Sequence, residues 1–277
     1  MSQSNYINLQ VDGRLFPSWI LLNFKKYKLQ DMLQIDGDDA CKRKQKFELR
    51  KYQEFLSAFL DFRSPYKEML VYQGMGSGKT ASVINIYNML YNYTPGWNVF
   101  ILIKASLKGS WLDELQKWLS KSEYEARFGN IQFIHYDSPF ADRDFLNAIK
   151  QSDSSKKTIF IFDEVHNFIN NVYNNITNKA GTRAYIIYDY IQQEKKENDE
   201  TRIILITGTP AINNPFEIAL IYNLLRPGIF PNSELKFTEL YISSNKLHPD
   251  KKNMFQRRIM GLTSYYAGND KATFAEK

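Results

Sequence analysis

Short, unbroken apolar runs recur along this chain with amphipathic stretches between them, and that alternation limits the fold more than any other feature. "EMLVYQ" (68–73), "NVFILIKA" (98–105), "KTIFIFDE" (157–164) and "RIILITGT" (202–209) have strand length, and "IQFIHY" (131–136) is a shorter fifth run. A strand apolar on both faces must be covered on both sides, as the strands of parallel sheets are. Between the runs, "TASVINIYNMLYNY", "SWLDELQKWLSK", the segment around "ADRDFLNAIK", "RAYIIYDYIQQEKK" and "PFEIALIYNLLRP" read as helices. Ahead of them "FELRKYQEFLSAFLDF" spaces its apolar residues at three and four, which also predicts a helix. Strands alternating with helices predict an α/β domain, a mostly parallel sheet sandwiched between helices. The asparagine-rich "NFINNVYNNITNKAG" reads as a mobile stretch and "EKKENDET" as a surface loop.

Bulk properties exclude several classes. Hydrophobic residues make up 43% of 277, enough for a full core, so wholesale disorder is excluded. The longest apolar runs are about five residues, against roughly 20 for a membrane helix, and "MSQSNYINLQVDGR" lacks the regions of a signal peptide. Cys41 is the only cysteine, so no internal disulfide can form. Together these features predict a soluble intracellular protein with no membrane partner. The net charge of +6 suits a protein that meets a polyanion, as it suits many that do not. Residues 1–45 combine "LFPSWILLNFKKYKL" with an acidic "DGDD" and the start of a basic "KRKQK", and read as an N-terminal extension packed on a main domain over 46–277.

Three constellations carry chemistry. "GMGSGKT" spans Gly74, Met75, Gly76, Ser77, Gly78, Lys79 and Thr80, in the spacing G-x-x-x-x-G-K-[ST], between a strand and a helix. Backbone N–H groups in such a loop cradle phosphates, the helix N-terminus adds a positive dipole end, Lys79 reaches the β- and γ-phosphates, and Thr80 ligates Mg²⁺. A glycine-rich turn ending in a helix cap is the plainer alternative. In "FIFDEVH", Asp163 and Glu164 follow a buried strand, where paired carboxylates are costly unless a cation or substrate uses them. Asp163 is placed to hold Mg²⁺ and Glu164 to orient and deprotonate a water, although such a pair also serves as an ordinary helix cap. In "LITGTPAINNPFE", Thr207 and Thr209 lie at a third strand end, where their hydroxyls could bond Glu164 or His166 and report the nucleotide state. A Thr-Gly-Thr-Pro turn explains the same residues. Gln53 could bond an adenine bidentately, or simply face water.

"LRKYQ", "GMGSGKT", "ILIKASLKGSW", "DEVH" and "TGTPAINNPFE" come in the order and spacing of superfamily-two helicases and DNA translocases, which this chain resembles from about residue 47 onward. "LITGTP…NNPFE…LLRPGIF" is most similar to the Swi/Snf-type branch. "FDEVHNFI" and "GLTSYYAGND" resemble the nucleoside triphosphatase I and early-transcription helicases of poxviruses and other large DNA viruses. The resemblance implies a RecA-like P-loop fold and an ATPase stimulated by DNA, single- or double-stranded and without sequence preference. It implies ATP and Mg²⁺ as cofactors, Gln53 as adenine reader, and Lys79, Asp163 and Glu164 as catalytic residues. His166, Thr207 and Thr209 would couple the site to motion, and Lys104, Ser106, Lys108 and Trp111 fall in the segment that touches the nucleic-acid backbone. In the viral branch such a protein serves early transcription beside the viral RNA polymerase, in the host cytoplasm or the virion. His166 and Gln73 depart from the remodeller pattern. No Q-x-x-G-R-x-x-R segment occurs, "QRRIMG" (256–261) included, so the chain resembles the N-terminal half of a motor whose second RecA-like domain lies elsewhere.

Two alternatives remain at this level: a nucleic-acid-binding or regulatory module that keeps the fold without turnover, and an unrelated P-loop NTPase such as a nucleotide kinase. The first predicts a damaged phosphate loop or acidic pair, and both are intact. The second does not explain "TGTP" after "DEVH".

Overall fold

The computed structural model describes residues 10–11, 13–29, 48–74, 76–177, 181–211, 213–244 and 246–267. A two-residue hairpin, β1 (Gln10–Val11) and β2 (Arg14–Leu15), leads into α1 (Phe16–Phe24). Then come α2 (Lys51–Phe59), β3 (Glu68–Gln73), α3 (Lys79–Tyr93), β4 (Trp97–Ile103), α4 (Lys108–Trp118) and α5 (Lys121–Phe128). The chain continues through β5 (Ile131–His135), α6 (Ala141–Gln151), β6 (Lys157–Phe162), α7 (Val165–Thr177), α8 (Arg183–Glu197) and β7 (Arg202–Thr207). It closes with α9 (Phe216–Leu225), α10 (Glu234–Tyr241), the hairpin β8 (Ile242–Ser243) and β9 (Lys246–Leu247), α11 (Lys252–Ile259) and β10 (Thr263–Tyr266).

Six strands form one sheet in the order β10-β3-β7-β6-β4-β5, and every neighbouring pair is parallel. The unbroken apolar runs are explained by where successive residues go. Leu70, Phe100, Leu102, Phe160, Phe162, Ile203 and Leu205 enter a core shared with α6 to α10. Their immediate neighbours Met69, Val71, Val99, Ile101, Ile159, Ile161, Ile204 and Ile206 enter a second core shared with α2 to α4. Each of the four inner strands, β3, β4, β6 and β7, is therefore half of two cores, and its side-chain period of two is hidden because both faces are apolar. Truncating one of these rings, Phe162→Ala for instance, should cost roughly 3–5 kcal/mol.

Because all six strands run the same way, their C-terminal ends share one edge. The register aligns Tyr72 with Thr207, Phe162 with Leu205, Leu102 with Phe162, and Ile103 with His135. Ligands in open α/β sheets sit outside that edge.

The structure corrects parts of the sequence reading. "NFINNVYNNIT" is no mobile stretch but most of α7, with Val165, Phe168, Ile169 and Val172 fully buried at helical spacing. Residues 178–180 lie outside the described set. The charged "EKKENDET" is not all loop either: α8 runs to Glu197, and Lys195 turns inward to place Nζ 3.3 Å from Glu68. The segment expected as an extension is represented by α1, where Trp19 is buried and Phe16 and Trp19 pack on Phe59 and Tyr66. The "DGDD" and "KRKQK" patches and Cys41 lie outside the described residues. Among the described residues no helix is long and apolar enough to cross a membrane.

Candidate nucleotide site

β3 ends at Gln73 and α3 begins at Lys79, so residues 74–78 turn the chain at the sheet's ligand edge. Gly76 and Gly78 take φ of 71° and 75°, a region open to glycine at little steric cost. Gly78 is doubly constrained, because a Cβ there would stand 2.7 Å from Gln53 Nε2. The loop is braced from below: the Tyr52 hydroxyl donates to the Ser77 carbonyl at 2.5 Å and Gln53 Nε2 to the Gly78 carbonyl at 3.1 Å. The first-turn amides of α3 have no acceptor within the helix and carry the positive end of its dipole. Lys79 Nζ rests on the carbonyls of Gln73 (3.2 Å) and Gly74 (3.1 Å). A phosphate oxygen would be a stronger, charged acceptor for the same ammonium. Met75, expected in this loop, lies outside the described residues.

Asp163 and Glu164 follow β6 directly, between two strands whose ends they share. Asp163 is buried; its Oδ2 accepts the indole N–H of Trp111 at 2.7 Å and its Oδ1 the backbone N–H of Glu164 at 2.9 Å. Burial pushes its pKa above the usual carboxylate range, and the Trp111 hydrogen bond pulls it back. A carboxylate has about four acceptor positions, so lone pairs remain for a cation. Among the described residues no three His, Cys, Asp or Glu gather as a metal cage. Mg²⁺ takes one or two carboxylates, waters and substrate phosphates, a donor set that the Asp163 carboxylate can enter. Asp163 and the Thr80 hydroxyl, on the first turn of α3, could hold it. Glu164 sits at φ 47°, rare for a residue with a side chain. Its carboxylate lies 3.3 Å from His166 Nδ1.

His166 joins this pair to β7. Nδ1 is 2.8 Å from Thr207 Oγ1 and 3.5 Å from Thr209 Oγ1, and Nε2 is 2.9 Å from Asn167 Nδ2. Thr207 Oγ1 donates its own hydrogen to the Thr209 carbonyl, so toward His166 it must accept. Asn167 Nδ2 can only donate. The network therefore assigns the neutral imidazole with its proton on Nδ1, and burial holds the His166 pKa below the usual imidazole value. The loop after β7 also reaches the phosphate loop, since a Cβ on Gly208 would lie 4.0 Å from Lys79 Nζ. Phosphate loop, acidic pair and Thr-Gly-Thr turn thus meet, as their order along three strand ends requires.

The remaining expected residues are placed differently. Gln53 is buried with Oε1 accepting from the Arg50 amide at 2.8 Å, so both ends of its amide are tied to backbone beneath the loop. Lys104 follows β4, Ser106 is exposed in a single helical turn (Ala105–Leu107), and Lys108 places Nζ 5.4 Å from the Phe133 ring centroid. These three form one accessible segment, although the Ala105 amide at its start is already bonded to Asp137. Trp111 does not share that surface: it is buried against Asp163.

Residues 46–212 match the family model described as the type III restriction enzyme, res subunit. The chain belongs to this helicase family. Family membership makes it a superfamily-two, RecA-like ATPase domain, and nucleotide use follows. A protein of Acanthamoeba polyphaga mimivirus, named by inference as an ATP-dependent RNA helicase, is 53% identical over 95% of this chain and 34% of its own length. Nucleoside triphosphatase I of Choristoneura biennis entomopoxvirus is 29% identical over 78% of this chain and 32% of its own. This helicase-family chain therefore spans about a third of those relatives. Among solved structures, the Sulfolobus solfataricus SWI2/SNF2 ATPase core, determined in complex with dsDNA, matches with a TM-score of 0.55 at 20% identity, over 82% of this chain and 46% of that one. It shares the fold.

The sequence misplaces one support of the site and gives no sign of another. Trp111 is expected on the nucleic-acid surface and instead holds Asp163. Tyr136, whose hydroxyl donates to the carbonyls of Asp163 (3.1 Å) and Glu164 (3.4 Å), stands in no motif. Trp111 closes the "ILIKASLKGSW" motif, whose resemblance points to the nucleic-acid backbone rather than to Asp163. Both reach the acidic pair from segments distant in sequence.

Proposed function

We propose that this chain is the ATP-binding domain of a nucleic-acid-dependent ATPase that moves along DNA in a large DNA virus. The observation that carries the proposal is the meeting of Lys79, the Asp163–Glu164 pair and the Thr207–Thr209 turn at one sheet edge, with Gly208 against Lys79. In this reading the loop from Gly74 to Thr80 holds the phosphates. Thr80 and Asp163 hold Mg²⁺, which neutralises phosphate charge when bound. Glu164 orients and deprotonates the attacking water, and His166 relays the state of that pair to β7. Gln53 braces the loop beside the base. Lys104, Ser106 and Lys108 contact strand backbone, because a motor indifferent to sequence must rely on phosphates.

A second RecA-like domain in the remainder of a longer chain would complete the motor; the share of the relatives covered here supports that. We also propose a role in early viral transcription beside the viral RNA polymerase, in the host cytoplasm or the virion; a viral setting is supported by the nucleoside triphosphatase I relative being an entomopoxvirus protein. The mimivirus relative named as an RNA helicase favours RNA as a second reading.

The test is nucleotide binding by Lys79→Ala; among the described residues the native ammonium donates to the carbonyls of Gln73 and Gly74. Affinity for Mg²⁺-ATP should disappear while the melting temperature holds; wild-type affinity in the folded variant would remove the phosphate-cradle assignment. For the strand, affinity for DNA and RNA duplexes and single strands should be compared across salt. Each duplex phosphate contact should add close to one unit of log–log slope, and Lys104→Ala with Lys108→Ala should flatten it. A salt-independent affinity would place the contact elsewhere.

A further inference from the structure

Trp111 is completely enclosed, yet burial alone does not explain an indole here. Trp97 is equally enclosed and its Nε1 has no partner among the described residues. Trp111 instead commits its N–H to Asp163 Oδ2 at 2.7 Å, while the Glu164 amide takes Oδ1. The two donors grip opposite oxygens and fix the plane of the carboxylate. Tyr136 holds the backbone of the same two residues through their carbonyls. Between these clamps Glu164 keeps its positive φ, a conformation that persists only where its surroundings over-determine it. The clamps arrive from outside the phosphate loop, Trp111 on α4 and Tyr136 just after β5.

We propose that Trp111 is a positioning residue for the divalent cation: it locks the Asp163 carboxylate in the orientation that a nucleotide-bound metal ion uses. The proposal rests on the nucleotide-site reading above. Outer hydrogen-bond partners of metal-holding carboxylates orient them, and losing one typically lowers metal affinity by roughly 10–100-fold. Trp111 touches no phosphate and transfers no proton. Its effect passes entirely through Asp163.

The experiment titrates Mg²⁺ against binding of a fluorescent ADP analogue to the wild-type chain, Trp111→Phe and Trp118→Phe. Trp118 is a matched control, since its indole also donates to a carboxylate, Glu114 Oε2 at 2.8 Å, on the same helix but away from the site. Trp111→Phe should need roughly 10–100-fold more Mg²⁺ for half-saturation, with unchanged binding in EDTA. Trp118→Phe should match the wild type. A Mg²⁺ midpoint in Trp111→Phe equal to the wild type would overturn the proposal. If Trp111→Phe melts too low to be assayed, the indole ¹⁵N spectrum of the wild-type chain decides. The chain has four tryptophans, so Phe variants of the other three identify the Trp111 signal by elimination. That signal should move on adding Mg²⁺ with ADP and stay still with ADP in EDTA; a signal unmoved in both overturns the proposal. Wild-type binding that ignores Mg²⁺ would remove the cation reading itself and the proposal with it. A Mg²⁺-dependent wild type with an unaffected variant removes only the role of Trp111.

Discussion

At the scale of single residues, the acidic pair separates binding from chemistry. Glu164→Gln keeps shape and most hydrogen bonding but removes the base. Nucleotide with Mg²⁺ should still bind, while single-turnover hydrolysis falls roughly 10²–10⁴-fold. Loss of binding together with turnover would make Glu164 a metal or structural residue. His166 gives a pH signature. Its folded pKa is lowered by burial, and a second ring proton would confront the Asn167 amide donor. The unfolded chain therefore binds the proton more readily, so stability is full above the ordinary imidazole value of about 6.5. It declines as pH falls through that value toward the folded pKa. Unfolding midpoints of wild type and His166→Gln between pH 8 and 5.5 should converge toward the acid end. A gap that stays constant with pH would show that His166 does not titrate differently in the two states.

At the scale of elements, legibility follows locality. β3, the phosphate loop and α3 can be read almost residue for residue because every determinant lies within one stretch: apolar run, glycine spacing, helix. α7 misleads for the opposite reason. Its asparagines suggest mobility, while the decisive Val165, Phe168, Ile169 and Val172 stripe matters only once a sheet lies beneath it. α5 and β10 leave little trace in the sequence: α5 depends on a Ser120–Glu123 capping box at a helix of eight residues, and β10 exists by pairing with β3. Lys195 and Trp111 defy local reading because their partners, Glu68 and Asp163, are far away in sequence. Two glycines test how far local geometry governs. Gly78→Ala must hold a left-handed backbone, at a cost of about 1–2 kcal/mol, and must displace the Gln53 amide as well. Gly109, within α4, has open space where a methyl group would stand, with nothing within 4 Å. Gly109→Ala should therefore be neutral or stabilising by up to roughly 1 kcal/mol. Urea midpoints that move the same way for both would show that the loop conformation is not what Gly78 supplies.

At the scale of the whole molecule, the question is what this domain can do by itself. Charge developing on a γ-phosphate calls for a cation beyond Mg²⁺ and Lys79, and an arginine finger contributes on the order of 10³–10⁵ in rate. Three arginines held inside this domain are committed elsewhere. Arg202 is buried on the carbonyls of Leu60, Asp61 and Phe62, Arg226 is paired with Glu68, and Arg127 is held by Asn88 and Glu123. Glu68 and Arg202 both sit at the start of their strands, the end of the sheet opposite the phosphate loop. In the proposed reading the finger comes from a second domain, and strand translocation also needs two domains that close and open around the nucleotide. The isolated chain should therefore bind ATP or ADP with Mg²⁺, hydrolyse ATP slowly, respond little to DNA or RNA, and unwind nothing. Steady-state ATPase with and without nucleic acid, measured beside a longer chain carrying the second domain, checks this. Robust nucleic-acid-stimulated turnover by the isolated chain would sink the half-motor reading and require that a second copy supply the finger in trans.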